Sequence, residues 1–133
     1  MSGIVTVRPD TTTGSKQNLS MFIGISGASA GSRGISMYRV LIPPGGRAEA
    51  HSHAGHETAI YLLKGRVQTF FGQGLSQSVI NEAGDFLFIP PDLPHQPVNL
   101  SDTDFAEAIV ARTDPNEQES VVPYDGDAVL GPA

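Results

Sequence analysis

The chain has 133 residues, no cysteine, and eight basic against fourteen acidic side chains, for a net charge of -6. That composition excludes disulfides, thiolate nucleophiles and iron–sulfur clusters, and with Lys and Arg nowhere grouped it argues against a nucleic-acid partner. No apolar run approaches the ~20 residues of a membrane span, and Met1 to Val5 lacks a basic, apolar leader, so a cytoplasmic protein without a membrane partner is expected.

Fifteen Gly and ten Pro punctuate short apolar runs, the texture of an all-β protein. Ile4 to Arg8 predicts a first strand, Thr11 to Ser20 a polar loop, and Met21 to Ile25 a second strand. The small-residue stretch Ser26 to Ser32 predicts a further loop. Ile35 to Ile42 is a strong strand pattern, stopped by Pro43, Pro44, Gly45 and Gly46. Ala59–Leu63, Val67–Phe71, Ser78–Ile80, Phe86–Ile89, Gln96–Leu100 and Phe105–Arg112 follow. Their regular spacing of roughly eight to ten residues predicts a sandwich or barrel, with Phe70, Phe71, Phe86 and Phe88 as core aromatics. A turn around Asp114 to Glu119 is the sole helical candidate. Beyond it the chain loses periodicity, so residues 113–133 are expected to form an arm along the surface or across a partner subunit.

Chemistry concentrates in the histidines. His51, His53 and His56 lie within six positions of one another, with Glu57 next, while His95 sits far downstream after Pro94. On a strand, residues two apart face one side, so His51 and His53 aim both rings the same way. Imidazoles and carboxylates suit borderline divalent metals, and ligands from two distant segments are normal for them. Glu57 and His95 would complete a set of three nitrogens and one oxygen, leaving other coordination positions open.

These residues resemble the cupin superfamily. Its first motif has a Gly, five residues, His-x-His, three or four residues, Glu, six residues and Gly. Gly45, His51, His53, Glu57 and Gly65 fit, with seven residues in place of six before the closing Gly. Its second motif is matched by Gly84, Pro90, His95 and Asn99, with Asp92 where the family has Gly. Asp tolerates the positive-φ turn conformation better than most residues. The extra residue is harder to place, because counting back six residues from Gly65 lands on Thr58 and strand alternation then turns His56 inward. A one-residue bulge reconciles either choice, so Glu57 is the preferred acidic ligand and His56 the alternative. The resemblance implies a single cupin domain over 1–133, a double-stranded β-helix whose barrel spans about 20–112, and a homodimer.

Among other polar residues, Arg39 alternates with Met37 and Leu41 and is a candidate for binding a substrate carboxylate. Gln68 and Thr69 occupy opposite faces of one strand; one must look inward, and Gln68 is the substrate-binding candidate. Asn99 is expected in a turn or behind a ligand, and Glu107 on the surface. The resemblance implies one divalent transition metal (Fe, Mn, Ni or Zn) and a small-molecule ligand in the barrel. Dioxygenase, decarboxylase or isomerase chemistry on a small polar or organic-acid metabolite follows, with a non-catalytic binding module as the alternative.

Overall fold

The computed structural model describes residues 3–8, 13–14, 20–116 and 121–124. The strands in chain order are β1 (Thr13–Gly14), β2 (Ser20–Ile25), β3 (Ser36–Ile42), β4 (His51–His53), β5 (Thr58–Lys64) and β6 (Arg66–Phe71). They continue as β7 (Gln77–Glu82), β8 (Phe86–Ile89), β9 (His95–Asn99), β10 (Ala106–Arg112) and β11 (Val121–Pro123). Two antiparallel sheets result, ordered β1-β2-β3-β10-β5-β8 and β11-β4-β9-β6-β7. Their inner faces enclose one apolar core that includes Met21, Tyr38, Val40, Ile42, Leu62, Val67 and Val110. This is a double-stranded β-helix. Every strand from β3 to β10 falls within two residues of a predicted run or on the histidine pair, because Pro or Gly follows closely where most of the ladders end, as at Pro43, Gly65, Gly72 and Pro90.

The N-terminal region departs from expectation. Ile4 to Arg8 forms no strand and is largely exposed, whereas Thr13 and Gly14 in the expected loop pair with Met21 and Ser20. The small-residue stretch is not a plain loop but opens with a helical turn, α1 (Gly27–Ala30). Ser26 and Ser29 create it by capping reciprocally, each side chain accepting from the other's backbone N–H, and Gly31 ends it in the left-handed conformation. Phe86 and Phe88 are not in the core. They lie on the outer face of the edge strand β8, 80% and 62% exposed. Asp114 to Asn116 has no helical turn, and residues 117–120 lie outside the described residues, as does the arm beyond Tyr124. The described part of that arm, β11, pairs antiparallel with β4.

Two turns hold the two motifs together. Asp92 adopts a φ of 66°, its backbone N–H donates to the His53 carbonyl at 3.1 Å, and its Oδ1 accepts from the Gly55 N–H at 3.1 Å. At Gly65 the φ is 98°, and an added Cβ would lie 3.0 Å from the Ala106 Cβ, so both conformation and space require glycine. Asn99, buried on β9, donates to the carbonyls of Ile42, Pro43 and Asp104 and accepts from the Ser101 N–H, clamping the chain turns at one end of the barrel.

Candidate metal centre and barrel cavity

β4 supplies His51 and His53 to the barrel interior by simple alternation, with the intervening Ser52 less buried. β9 brings His95 directly opposite His51 in the ladder. The ring centroids lie 4.3 Å apart for His51–His95, 4.9 Å for His51–His53 and 5.6 Å for His53–His95. One nitrogen from each ring falls within 4.8 Å of the others, and all three residues are buried.

Backbone carbonyls orient two of the rings. The Glu49 carbonyl lies 2.7 Å from His51 Nδ1, and the Leu93 carbonyl 2.9 Å from His95 Nδ1. A carbonyl can only accept, so each Nδ1 carries the proton and each Nε2 keeps its lone pair. Burial and charge then hold the rings neutral. Burial, the His95 ring and Arg112 push His51 down to about 3, against the hydrogen bond to Glu49. Burial, Arg112 and the other histidines push His53 down to about 2. Burial brings His95 to about 4, with Arg112 adding to it and the Leu93 carbonyl opposing. Neutral imidazoles are the form that binds metal. Three of them, buried and convergent, fit one divalent transition ion, and three protein ligands leave positions open to solvent or substrate.

Glu57 is not with them. It is exposed, and its backbone is tied to Thr113, which accepts from the Glu57 N–H through Oγ1 at 2.9 Å and donates N–H to the Glu57 carbonyl at 3.1 Å. His56 is also elsewhere: Nδ1 donates to the Thr113 carbonyl at 2.8 Å, and Nε2 lies 3.7 Å from Asp114 Oδ2. The residue that β5 turns inward is Thr58, which is buried and lines the cavity. Four residues separate it from His53 and six from Gly65, so it meets both motif spacings with a hydroxyl in place of a carboxylate.

Thr58 faces its ladder partner Arg112, at the end of β10. Arg112 is buried, donating through Nε to Thr58 Oγ1 at 3.0 Å and through Nη2 to the Tyr38 hydroxyl at 3.1 Å. Sequence reasoning missed this residue, although Ala106, Ala108, Val110 and Arg112 form one alternating set that the structure buries. Arg39 has the opposite placement. On β3 the inward set is Tyr38, Val40 and Ile42, so Arg39 projects outward, over the Phe22 ring at 4.1 Å and 3.2 Å from Glu107 Oε2. Gln68 likewise turns away from the interior and donates to Ser78 Oγ at 3.0 Å, while its neighbour Thr69 lines the cavity.

The cavity of about 90 Å³ runs from the three histidines through a mostly aliphatic interior, with Thr58, Thr69, Asn81, Glu107 and Arg112 among the polar residues of its lining. Allowing ~30 Å³ per water, it holds about three waters or a ligand of a few heavy atoms.

Known proteins place this arrangement. A family model described as a cupin domain matches residues 38–111. Germin-like protein subfamily T member 3 of Arabidopsis thaliana is 36% identical over 101 residues, which cover 74% of this chain and 42% of that protein. Among solved structures, oxalate decarboxylase from Lactobacillus farciminis, in its formate complex, superposes with a TM-score of 0.70 at 22% identity, over 85% of this chain and 33% of that one. The Mn(II)-containing oxalate decarboxylase of Bacillus subtilis gives 0.69 at 20% identity, over 88% and 30%. The cupin domain of Schizosaccharomyces pombe Cnp3 gives 0.63 at 9% identity, over 74% and 66%. The chain thus spans less than half of the germin-like protein and about a third of the decarboxylases, and the structural likenesses speak for fold alone. With the family model covering more than half of its length, the chain belongs to the cupin family.

Proposed function

We propose that this cupin is a metal-dependent enzyme that acts on a small polar or organic-acid metabolite. The observation that carries the reading is the buried trio His51, His53 and His95 at the wall of a cavity with room for a ligand. A closed structural site would use four protein ligands; three leave the ion open on its cavity side. Manganese, iron, nickel or zinc would each be held by this donor set. Once bound, such an ion supplies Lewis acidity to a coordinated oxygen. The chain's part is to keep the three rings neutral and oriented, to exclude bulk water with its aliphatic wall, and to fix the ligand through Thr58, Thr69 and Arg112. Similarity to a germin-like protein and to oxalate decarboxylases supports a metal-holding cupin and does not select the reaction.

A non-catalytic binding module is the second reading. One observation favours it: among the described residues no carboxylate joins the histidine cluster, and Glu107 is engaged with Arg39. Screening metal-loaded protein against small carboxylic and hydroxy acids for turnover separates the readings. Consumption of any of them, lost in His51→Ala/His53→Ala, supports the enzyme; saturable binding without turnover supports the module.

The same reading includes a homodimer in the cytoplasm. On the outer face of the six-stranded sheet, ladder pairing aligns Phe86 with Tyr61 and Tyr61 with Ile109, and Phe88 with Ala59 and Ala59 with Ala111. Such an outer face is ordinarily polar, and an apolar one suits a second copy of the chain. Light scattering should give twice the chain mass for the native protein and a single mass for Phe88→Glu; a monomeric native protein contradicts the dimer. Cell fractionation tests the location.

A further inference from the structure

We infer that the cavity takes a small carboxylate, anchored by Arg112, and that this anion stands where the family motif would place an acidic side chain. The inference rests on the metal-centre reading above and adds the ligand's charge and its anchor.

Three observations carry it. The first is Arg112 itself, a buried guanidinium whose hydrogen bonds go to two neutral oxygens, Thr58 Oγ1 and the Tyr38 hydroxyl. Among the described residues no carboxylate lies within 4.0 Å of it. These bonds use two of its five N–H donors. A buried cation is costly unless an anion pairs with it, and a guanidinium matches a planar carboxylate in shape and donor spacing.

The second observation is what Arg112 faces. Thr58 has the motif spacing of the acidic ligand but brings no charge. Among the described residues the histidine cluster includes no carboxylate, while Arg112 brings a positive charge to the same cavity and a bound divalent ion would add to it. Glu107, the carboxylate residue in the cavity lining, is paired with Arg39 at 3.2 Å, which leaves an anionic ligand to balance Arg112. The third observation is size. About 90 Å³, otherwise lined by residues such as Val40, Ile42, Leu62 and Ile89, suits an acid of a few heavy atoms rather than a sugar or a nucleotide.

The test is calorimetric titration of the full chain, Zn(II)-loaded and metal-free, with acetate, oxalate, acetamide and inorganic phosphate. Zinc content is measured on every sample. Wild-type protein should bind acetate or oxalate at least tenfold more tightly than neutral acetamide, whose shape is similar, and more tightly than phosphate. Arg112→Gln should lose that tenfold preference while retaining zinc, and Arg112→Lys should keep part of it, a pattern that a merely structural arginine would not produce. Thr58→Glu supplies the missing anion internally, so it should raise zinc affinity and abolish carboxylate binding; it also serves if Arg112→Gln fails to fold. Equal affinity for acetate and acetamide, a preference for phosphate, or carboxylate binding unchanged in Arg112→Gln would overturn the inference. Wild-type protein that takes up no metal contradicts the metal-centre reading alone, and Arg112-dependent acetate binding to it still supports the anion site.

Discussion

The two walls of the barrel treat charge in opposite ways. On the five-stranded sheet, β4 and β9 bury three imidazoles and hold them neutral, offering lone pairs to a cation. Across the cavity, β5 and β10 bury Arg112, which stays charged, and place beside it the neutral hydroxyl of Thr58. Desolvation explains the difference. A histidine can shed its proton at modest cost when buried, and a guanidinium cannot, so the first wall presents neutral lone pairs while the second keeps a fixed positive charge. One cavity can thus hold a metal ion on one side and an anion between the two.

Breaking the histidine wall should have the largest effect. His95→Ala removes one of three nitrogens and is expected to lower metal affinity by at least about 100-fold, more than loss of a supporting hydrogen bond would. Equilibrium dialysis against Zn(II) measures it. The fold should survive, because Asn99 rather than His95 clamps the adjoining turns.

Acid sharpens the contrast next. All three folded-state values, about 3, 2 and 4, lie below the ordinary 6.5. As pH falls below 6.5 the unfolded chain takes up protons that the folded chain refuses, so stability is lost progressively, down to about pH 4 for His95, about 3 for His51 and about 2 for His53. Each histidine contributes up to about 1.4 kcal/mol per pH unit over that window. The urea midpoint of metal-free protein should therefore drop between pH 7.5 and 5, and the drop should shrink in His51→Ala. A midpoint that is flat over this range would mean that the rings are not buried in neutral form.

The arginine wall predicts a smaller change. Thr58→Val keeps the shape of the side chain but strips Arg112 Nε of its acceptor, and should cost about 1–3 kcal/mol. Chemical denaturation reads this directly, with zinc content unaffected. Smallest of all is Glu57→Ala. An exposed residue away from both walls should shift stability by less than about 0.5 kcal/mol and leave metal content unchanged. Loss of metal in Glu57→Ala would restore that carboxylate as a ligand.

How far the sequence could be read depended on whether residue type and spacing agreed. They agreed for His51, His53 and His95, where alternation and both motifs converge, and for Asp92, whose positive φ its side chain tolerates. They conflicted at the acidic position. Glu57 has the right chemistry, but Thr58 satisfies the spacing on both sides, and backbone geometry follows spacing. Arg39 and Gln68 were misplaced for another reason. In β3 both alternating sets are apolar or mixed, Met37 and Leu41 against Tyr38, Val40 and Ile42, so the pattern does not say which set faces the core. Phe86 and Phe88 misled similarly, since large aromatics look like core until the edge position of β8 and its outward face are known. The capped turn at Ser26 to Ala30 used Ser29 where a capping box commonly has Glu or Gln, and composition alone hid it. Arg112 was legible in principle, in phase with Ala106, Ala108 and Val110 on a strand with an apolar inward set.

The most direct test of the account is the metal content of untagged protein measured by mass spectrometry beside the His51→Ala/His53→Ala variant. Close to one equivalent of manganese, iron, nickel or zinc per chain in the native protein, absent from the variant, is the predicted result. Native protein that stays metal-free after reconstitution with each of these ions, or a variant that retains its metal, would contradict it.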